Sequence, residues 1–323
     1  MNKLRAQIQY RSLTRQKNRK ITKAFVRGLL FFTLIPLLAV TSCFAYPYSR
    51  AAVSIDAATG KILFSKNPNR LLPPASTTKL MTTIVALEKV KISKIVTVSK
   101  NASHIDPSRA GFREGDKLTV EDLLYAALIK SANDAAIALA ETIAGSEKRF
   151  VQLMNEKAIF IGARHTRFIN STGLPGPGQH TTALDLSKIM SYGLRYPKLR
   201  EIMATPETQI ATEEGKTFFL RNTNKLLRAD EKVIGGKTGY TRSAKHCLVC
   251  VAKDRTKTII VALLGSPTRK NLWLEAKKLI ARALSSKYRK NLSKQRPSLT
   301  LKTIRFKHLG KRGPGRSCES PPF

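Results

Sequence analysis

Ser76 and Lys79 stand three residues apart in the stretch Pro73-Pro74-Ala75-Ser76-Thr77-Thr78-Lys79-Leu80-Met81. On a helix, positions i and i+3 share a face, so hydroxyl and amine would meet there. A neutral lysine amine can take the serine proton, which is one way to activate a weak nucleophile. The two prolines favour an extended or turned chain. The apolar run 80–90 that follows reads as a helix. Ser76 is therefore expected at the first turn of a buried helix, near its positive end. Taken alone, the pair also fits a helix cap followed by a surface lysine. Two further polar groups stand downstream, Ser131-Ala132-Asn133 and Lys237-Thr238-Gly239. Singly, each is readable as loop, cap or strand-end residues.

The elements that must position these groups follow from periodicity and turn chemistry. Segments 51–56 and 61–65 read as strands joined by Ala57-Ala58-Thr59-Gly60, a hairpin signal. Segment 95–98 alternates like a strand, and 111–116 is turn-like. Thr119 with Asp122 at the third position starts a helix over 120–130. A second helix is expected over 134–144, which places Ser131 and Asn133 in a short loop between the two. A third covers 147–161 and stops at Gly162. The stretch 170–180 holds three glycines and two prolines and reads as an ordered loop. Thr182, with Asp185 at its third position, caps a helix running to Leu194. After Pro197 the pattern is mixed. Segments 218–220, 233–239, 247–252 and 258–264 read as strands, and 271–284 as a closing amphipathic helix. Strands at both ends with helices between suggest an α+β fold. Its antiparallel sheet is built from both chain ends with flanking helices, beside a mainly helical lobe, and a cleft lies between.

The 323 residues carry a formal net charge of +37, with +9 in residues 1–45, +10 in 286–323 and the remaining +18 between them. So basic a chain favours an anionic partner. Residues 1–27 are basic and polar, and 28–45 form an uncharged apolar run ending in small residues. This is the pattern of an export signal, with cleavage after Ala45 plausible. A retained membrane anchor is open too, as is a lipoprotein site at Cys43. The expected domains are 1–45 for export or anchoring, 46–285 for catalysis and 286–323 as a basic, loosely ordered tail. The chain beyond 45 is expected outside the cytoplasmic membrane, in the periplasm or on its outer face. Cys247 and Cys250 have the spacing of half a zinc site or a redox pair, but a strand would turn them to opposite faces as core residues. No metal, nucleotide or other cofactor signature is present. An export segment and the lack of interleaved aromatic and basic residues argue against nucleic acid.

Serine, second triplet and Lys-Thr-Gly, in this order, are shared by penicillin-binding proteins and class A β-lactamases. Residues 50–285 resemble the catalytic domain of the serine D-alanyl-D-alanine carboxypeptidases, the low-molecular-mass penicillin-binding proteins. The likeness extends through Leu123 to Ala135, Asn170 to Leu174, His180 to Leu186 and Lys237 to Thr241. Two departures stand out. Ala244-Lys245 replaces the family's usual Ala-Gly, and Arg269 is only near the position of an arginine that often precedes the last helix. The 38 residues after 285 are too few for the family's usual C-terminal β-rich domain and anchor. Membrane attachment is then expected through the N-terminal segment or through charge.

The resemblance implies acyl transfer on peptidoglycan stem peptides, with β-lactams as covalent inhibitors. Ser76 would attack the carbonyl of the penultimate D-alanine. Lys79 is the expected base, given burial and a nearby Lys237 to lower its pKa. Ser131 would relay a proton to the leaving amine, and Asn133 would hold Lys79 and the substrate amide. Lys237 supplies positive charge, and Thr238 would bond the terminal carboxylate. Gly239 lets backbone approach backbone so that substrate lies as an added strand. The family's oxyanion hole places backbone N–H groups at Ser76 and Tyr240. Asn170 and His180 read as structural. A DD-endopeptidase, a class A-like β-lactamase and a catalytically silent basic wall-binding protein remain as alternatives. The lactamase is disfavoured because Thr166 stands four residues before Asn170, where that family has its deacylating glutamate. No carboxylate occurs between Glu156 and Asp185, and His165 sits between Arg164 and Arg167.

Overall fold

A computed structural model describes residues 48–285. The expectations for 1–45 and 286–323, including Cys43 and the Ala45 cleavage point, lie outside the described residues.

The chain opens with β1 (Ala51–Asp56) and β2 (Ile62–Lys66), an antiparallel hairpin. A single 3₁₀ turn, Ala75–Thr78, carries Ser76 and runs into α1 (Lys79–Lys89). Then come β3 (Ile95–Thr97), α2 (Lys100–His104) and β4 (Lys117–Thr119). Next are α3 (Val120–Tyr125), α4 (Asn133–Ala144), α5 (Glu147–Ile161), α6 (Ala183–Gly193) and α7 (Pro197–Ala204). The hairpin β5 (Glu207–Ala211) and β6 (Thr217–Arg221) precedes the short α8 (Leu226–Ala229). The chain closes with β7 (Val233–Thr241), β8 (Lys245–Lys253), β9 (Thr258–Ser266) and α9 (Arg269–Leu284). Thr119 and Asp122 form the expected capping box, and Thr182 accepts from the Asp185 N–H.

The central sheet is antiparallel in the order β2-β1-β9-β8-β7, so both chain ends supply it as expected. Successive side chains on a strand point to opposite faces. Ala51, Val53 and Ile55 accordingly join the large core shared with the helices, while Ala52 joins a smaller one under α9. The same split separates Cys247 from Cys250. Both are free, fully buried thiols, and burial pushes each up to about 12. A strand buried on both faces needs apolar residues at every position, which is why 247–252 and 259–264 are unbroken apolar runs.

Several places differ from expectation. The helix over 120–130 gives way at Tyr125 to a wider π turn, Ala126–Lys130. Such widenings often mark functional sites. Segment 218–220 does pair, but with β5 in a side hairpin rather than in the central sheet. The stretch after Pro197 is the helix α7, with proline at its first position, where the missing N–H costs nothing. Among the described residues no helix is long and apolar enough to cross a membrane. Nor do any three His, Cys, Asp or Glu gather as a metal site among them.

Candidate active site

The 3₁₀ turn places Ser76 at the front of α1, half-buried while its neighbours are buried. Ala75 is held at φ +49°, a left-handed conformation costing an alanine roughly 1–2 kcal/mol. Two close approaches hold it there. A Cβ added to Gly173, at φ +85°, would lie 1.9 Å from the Ala75 carbonyl oxygen. A Cβ added to Gly239 would lie 2.9 Å from the Ser76 nitrogen and 3.0 Å from the Ala75 Cβ. The glycine of Lys-Thr-Gly thus lets β7 close on the nucleophile's own backbone, beyond the substrate approach expected of it.

Lys79 is fully buried, and its Nζ lies 3.2 Å from the Ser76 Oγ. It also donates to the Asn133 Oδ1 at 2.6 Å and to the Thr172 carbonyl at 2.7 Å. Burial holds its pKa well below the lysine range, the Lys237 charge lowers it further, and Asp134 opposes both. Lys237 is 1% exposed, and burial brings it down to about 7. Its Nζ donates to the Ser131 Oγ at 2.8 Å and to the Thr238 carbonyl at 2.9 Å. Two ammonium groups in one dry site disfavour each other. Lys79 carries the extra penalty, so it is the lysine disposed to be neutral while Lys237 keeps the charge.

The π turn delivers Ser131 at φ +69°, with the Ser131 and Ala132 N–H groups both returning to the Ala126 carbonyl. Asn133 is the first residue of α4 rather than part of the loop. Its Nδ2 donates to the Pro107 carbonyl at 2.5 Å, leaving one amide hydrogen for a ligand. Asp134, fully buried, accepts from the N–H groups of Ala110, Gly111 and Phe112 and so ties the 106–112 loop to α4. The Thr238 Oγ1 meets the Thr223 Oγ1 at 2.7 Å. The Tyr240 ring turns outward, 53% exposed, and stacks on His246 with centroids 4.5 Å apart, so only its backbone reaches the site.

Asn170 closes its own loop. It accepts from the Gly173 N–H and donates to the Leu174 carbonyl. His180 bridges to Arg167, as a structural residue would. His165 is exposed, and the Thr166 hydroxyl is spent on Thr181 and Asp185. Glu147 was not singled out from the sequence. Its Oε1 accepts from the Ser171 N–H and Oγ at 2.8 and 2.7 Å, one residue before the carbonyl that holds Lys79. The Thr172 carbonyl, the 106–112 loop and Thr223 were also missed. Backbone groups leave no trace in residue type, although Asp134, directly after Asn133, was a visible signal for the loop.

This arrangement pairs an activated hydroxyl with two buried lysines and a cleft-facing strand. The family model described as D-alanyl-D-alanine carboxypeptidase matches residues 45–268. The D-alanyl-D-alanine carboxypeptidase DacF of Bacillus subtilis is 37% identical over 242 residues, 73% of this chain. This chain spans 62% of that relative's length. The D-alanyl-D-alanine endopeptidase of Escherichia coli is 33% identical over 264 residues, covering 75% of this chain and 83% of the relative. The crystal structure of the Streptomyces K15 DD-transpeptidase superposes with a TM-score of 0.70 at 30% identity, covering 73% of this chain and 97% of that one. From the sheet, the buried lysine pair and these likenesses together, the chain belongs to the D-alanyl-D-alanine carboxypeptidase family.

Proposed function

We propose that this chain is a serine-type D-alanyl-D-alanine carboxypeptidase that removes the terminal D-alanine from peptidoglycan stem pentapeptides. The observation that carries the proposal is the fully buried Lys79 amine 3.2 Å from the Ser76 Oγ, facing a second buried lysine. Neutral Lys79 takes the Ser76 proton as Oγ attacks the penultimate D-alanyl carbonyl. The oxyanion forms beside the backbone N–H groups of Ser76 and Tyr240. As the tetrahedral intermediate collapses, the C–N bond breaks, Ser131 hands its proton to the departing D-alanine nitrogen, and the proton held by Lys79 replaces it, so that Lys79 is neutral again. The Ser131 hydroxyl is positioned for this by Lys237. Water then attacks the acyl-enzyme, Lys79 takes its proton and passes it to the Ser76 Oγ as the acyl C–O bond breaks, and the tetrapeptide leaves. Lys237 and Thr238 receive the substrate's C-terminal carboxylate. The free amide hydrogen of Asn133 meets the substrate amide.

β-Lactams acylate the same serine. The N-terminal 45 residues direct the catalytic domain out of the cytoplasm, and the surplus basic charge favours an anionic membrane or wall surface. A reporter fused after residue 60 and active only inside the cytoplasm would contradict export. The activity is tested with a muramyl pentapeptide and a cross-linked dimer, reading released products by mass spectrometry. D-Alanine from the pentapeptide is expected. Cleavage of the dimer alone would make the enzyme an endopeptidase. Lys79→Arg keeps charge and size but cannot lose its proton, so it is expected to abolish release.

A further inference from the structure

Far from the cleft, the outer side of α9 carries charge of one sign. Lys270, Leu274, Lys277, Lys278 and Ala281 are all exposed and are spaced i, i+4, i+7, i+8 and i+11. At 3.6 residues per turn they share one stripe about 100° wide. Leu274, 42% exposed, sits among the three lysines. None of these lysines makes an ion pair among the described residues. The one acid of the helix, Glu275, is turned inward and only 3% exposed. Its Oε2 accepts from the Ser49 N–H and Oγ at 2.9 and 2.7 Å. The helix therefore supplies no counter-charge to its own outer face, and the lysines repel one another until a partner does.

Both basic ends of the chain join the domain at this helix. Ser49 is fastened to it through Glu275, and the Lys66 Nζ donates to the Ser49 carbonyl at 2.9 Å. Ala45, the last residue of the apolar run, stands only four positions before Ser49 in the sequence. At the other end, the +10 segment 286–323 follows directly on the last turn of α9. A lysine stripe with an exposed leucine at its centre matches a bilayer of anionic phospholipid. Headgroup phosphates take the charge, and the interface takes the leucine. We propose that the outer face of α9 docks the catalytic domain on an anionic lipid surface. α9 covers the smaller core on one face of the sheet, whereas Ala75 and Leu80, which flank Ser76, pack in the large core on the other. Docking through α9 thus leaves the cleft open to substrate.

Trp273 is the only tryptophan of the 323 residues and lies half-buried in α9 beside the stripe, so it reports on this face without a label. The test uses the full chain with vesicles of phosphatidylglycerol and phosphatidylcholine in which part of the lipid carries a nitroxide near the headgroup. Trp273 fluorescence is expected to be quenched on these vesicles, less so as salt rises, and not on vesicles of phosphatidylcholine alone. A lysine at an anionic surface contributes about fivefold to binding, so replacing three should lower the docked-to-undocked ratio about a hundredfold. The triple variant Lys270→Gln, Lys277→Gln, Lys278→Gln should therefore lose the quenching even where the chain still sediments with vesicles. Its thermal unfolding and its penicillin labelling at Ser76 should match wild type. Absence of quenching in the wild-type chain, whether or not it sediments, or equal quenching in the triple variant, would overturn the docking face. A Trp273 emission change with soluble poly(glycerol phosphate), and none with vesicles, would overturn it in favour of an anionic wall polymer.

Discussion

Gly173→Ala tests whether the loop under the site sets the geometry of the nucleophile. The new Cβ meets two costs. At φ +85° the alanine is left-handed, worth roughly 1–2 kcal/mol. The Cβ also lands 1.9 Å from the Ala75 carbonyl oxygen, which is backbone and cannot swing aside. Forcing that segment over adds about 1–3 kcal/mol, as overpacking does elsewhere. The total is about 2–5 kcal/mol. Gly178→Ala supplies the control in the same loop. Its φ is +81°, but its Cβ would find only the Arg167 side chain at 3.6 Å, an ordinary contact. It should lose the backbone cost alone, about 1–2 kcal/mol. For a domain of this size 1 kcal/mol is about 2–4 °C in Tm. Thermal unfolding should therefore rank Gly173→Ala clearly below Gly178→Ala, and both below wild type. Acylation of Ser76 by benzylpenicillin should slow markedly in Gly173→Ala, because Ala75 cannot yield without moving Ser76, and should be near normal in Gly178→Ala. Equal Tm losses and equal acylation rates in the two variants would refute the contact as a determinant of the site.

Three further outcomes are expected. Lys237→Met should stabilise the fold near pH 6–7 by a few kcal/mol at most. A lysine near 7 when folded and 10.5 when unfolded penalises folding fully below about 7 and is relieved as pH rises toward 10.5. Denaturant titrations of both proteins should therefore converge at high pH, and a gap that stays constant with pH would count against a depressed lysine. Glu147→Ala should lower kcat for D-alanine release by releasing Ser171 and so the Thr172 carbonyl that holds Lys79. Glu147→Gln, which can still accept both bonds, should recover most of it, and equal losses in the two variants would contradict this positioning role. The penicilloyl adduct on Ser76 should persist far longer than a lactamase adduct, since the only carboxylate meeting the 170–174 loop, among the described residues, is occupied by Ser171. Rapid hydrolysis of benzylpenicillin without a detectable adduct would favour the lactamase instead.

Much of this site was legible because it is made of side chains at fixed spacing. Ser76 and Lys79 meet because a 3₁₀ turn flowing into a helix keeps i and i+3 on one face. The sheet was legible because 247–252 and 259–264 are apolar at every position. Other parts follow from tertiary contacts that no local pattern encodes. The π turn at 126–130 has the composition of an ordinary helix, and its widening shows in the Ser131 N–H, which reaches five residues back to the Ala126 carbonyl. Thr172 and Pro107 act through carbonyls, which every residue possesses. Glu147 reaches Ser171 across 24 residues, as the start of one helix against a distant loop.

The most direct measurement is intact-mass analysis of the full chain after incubation with benzylpenicillin, followed by peptide mapping. A single added penicilloyl mass on Ser76 is expected, lost entirely in Ser76→Ala while its thermal unfolding is near wild type. An adduct retained in Ser76→Ala, or mapped to any other serine, would contradict Ser76 as the nucleophile.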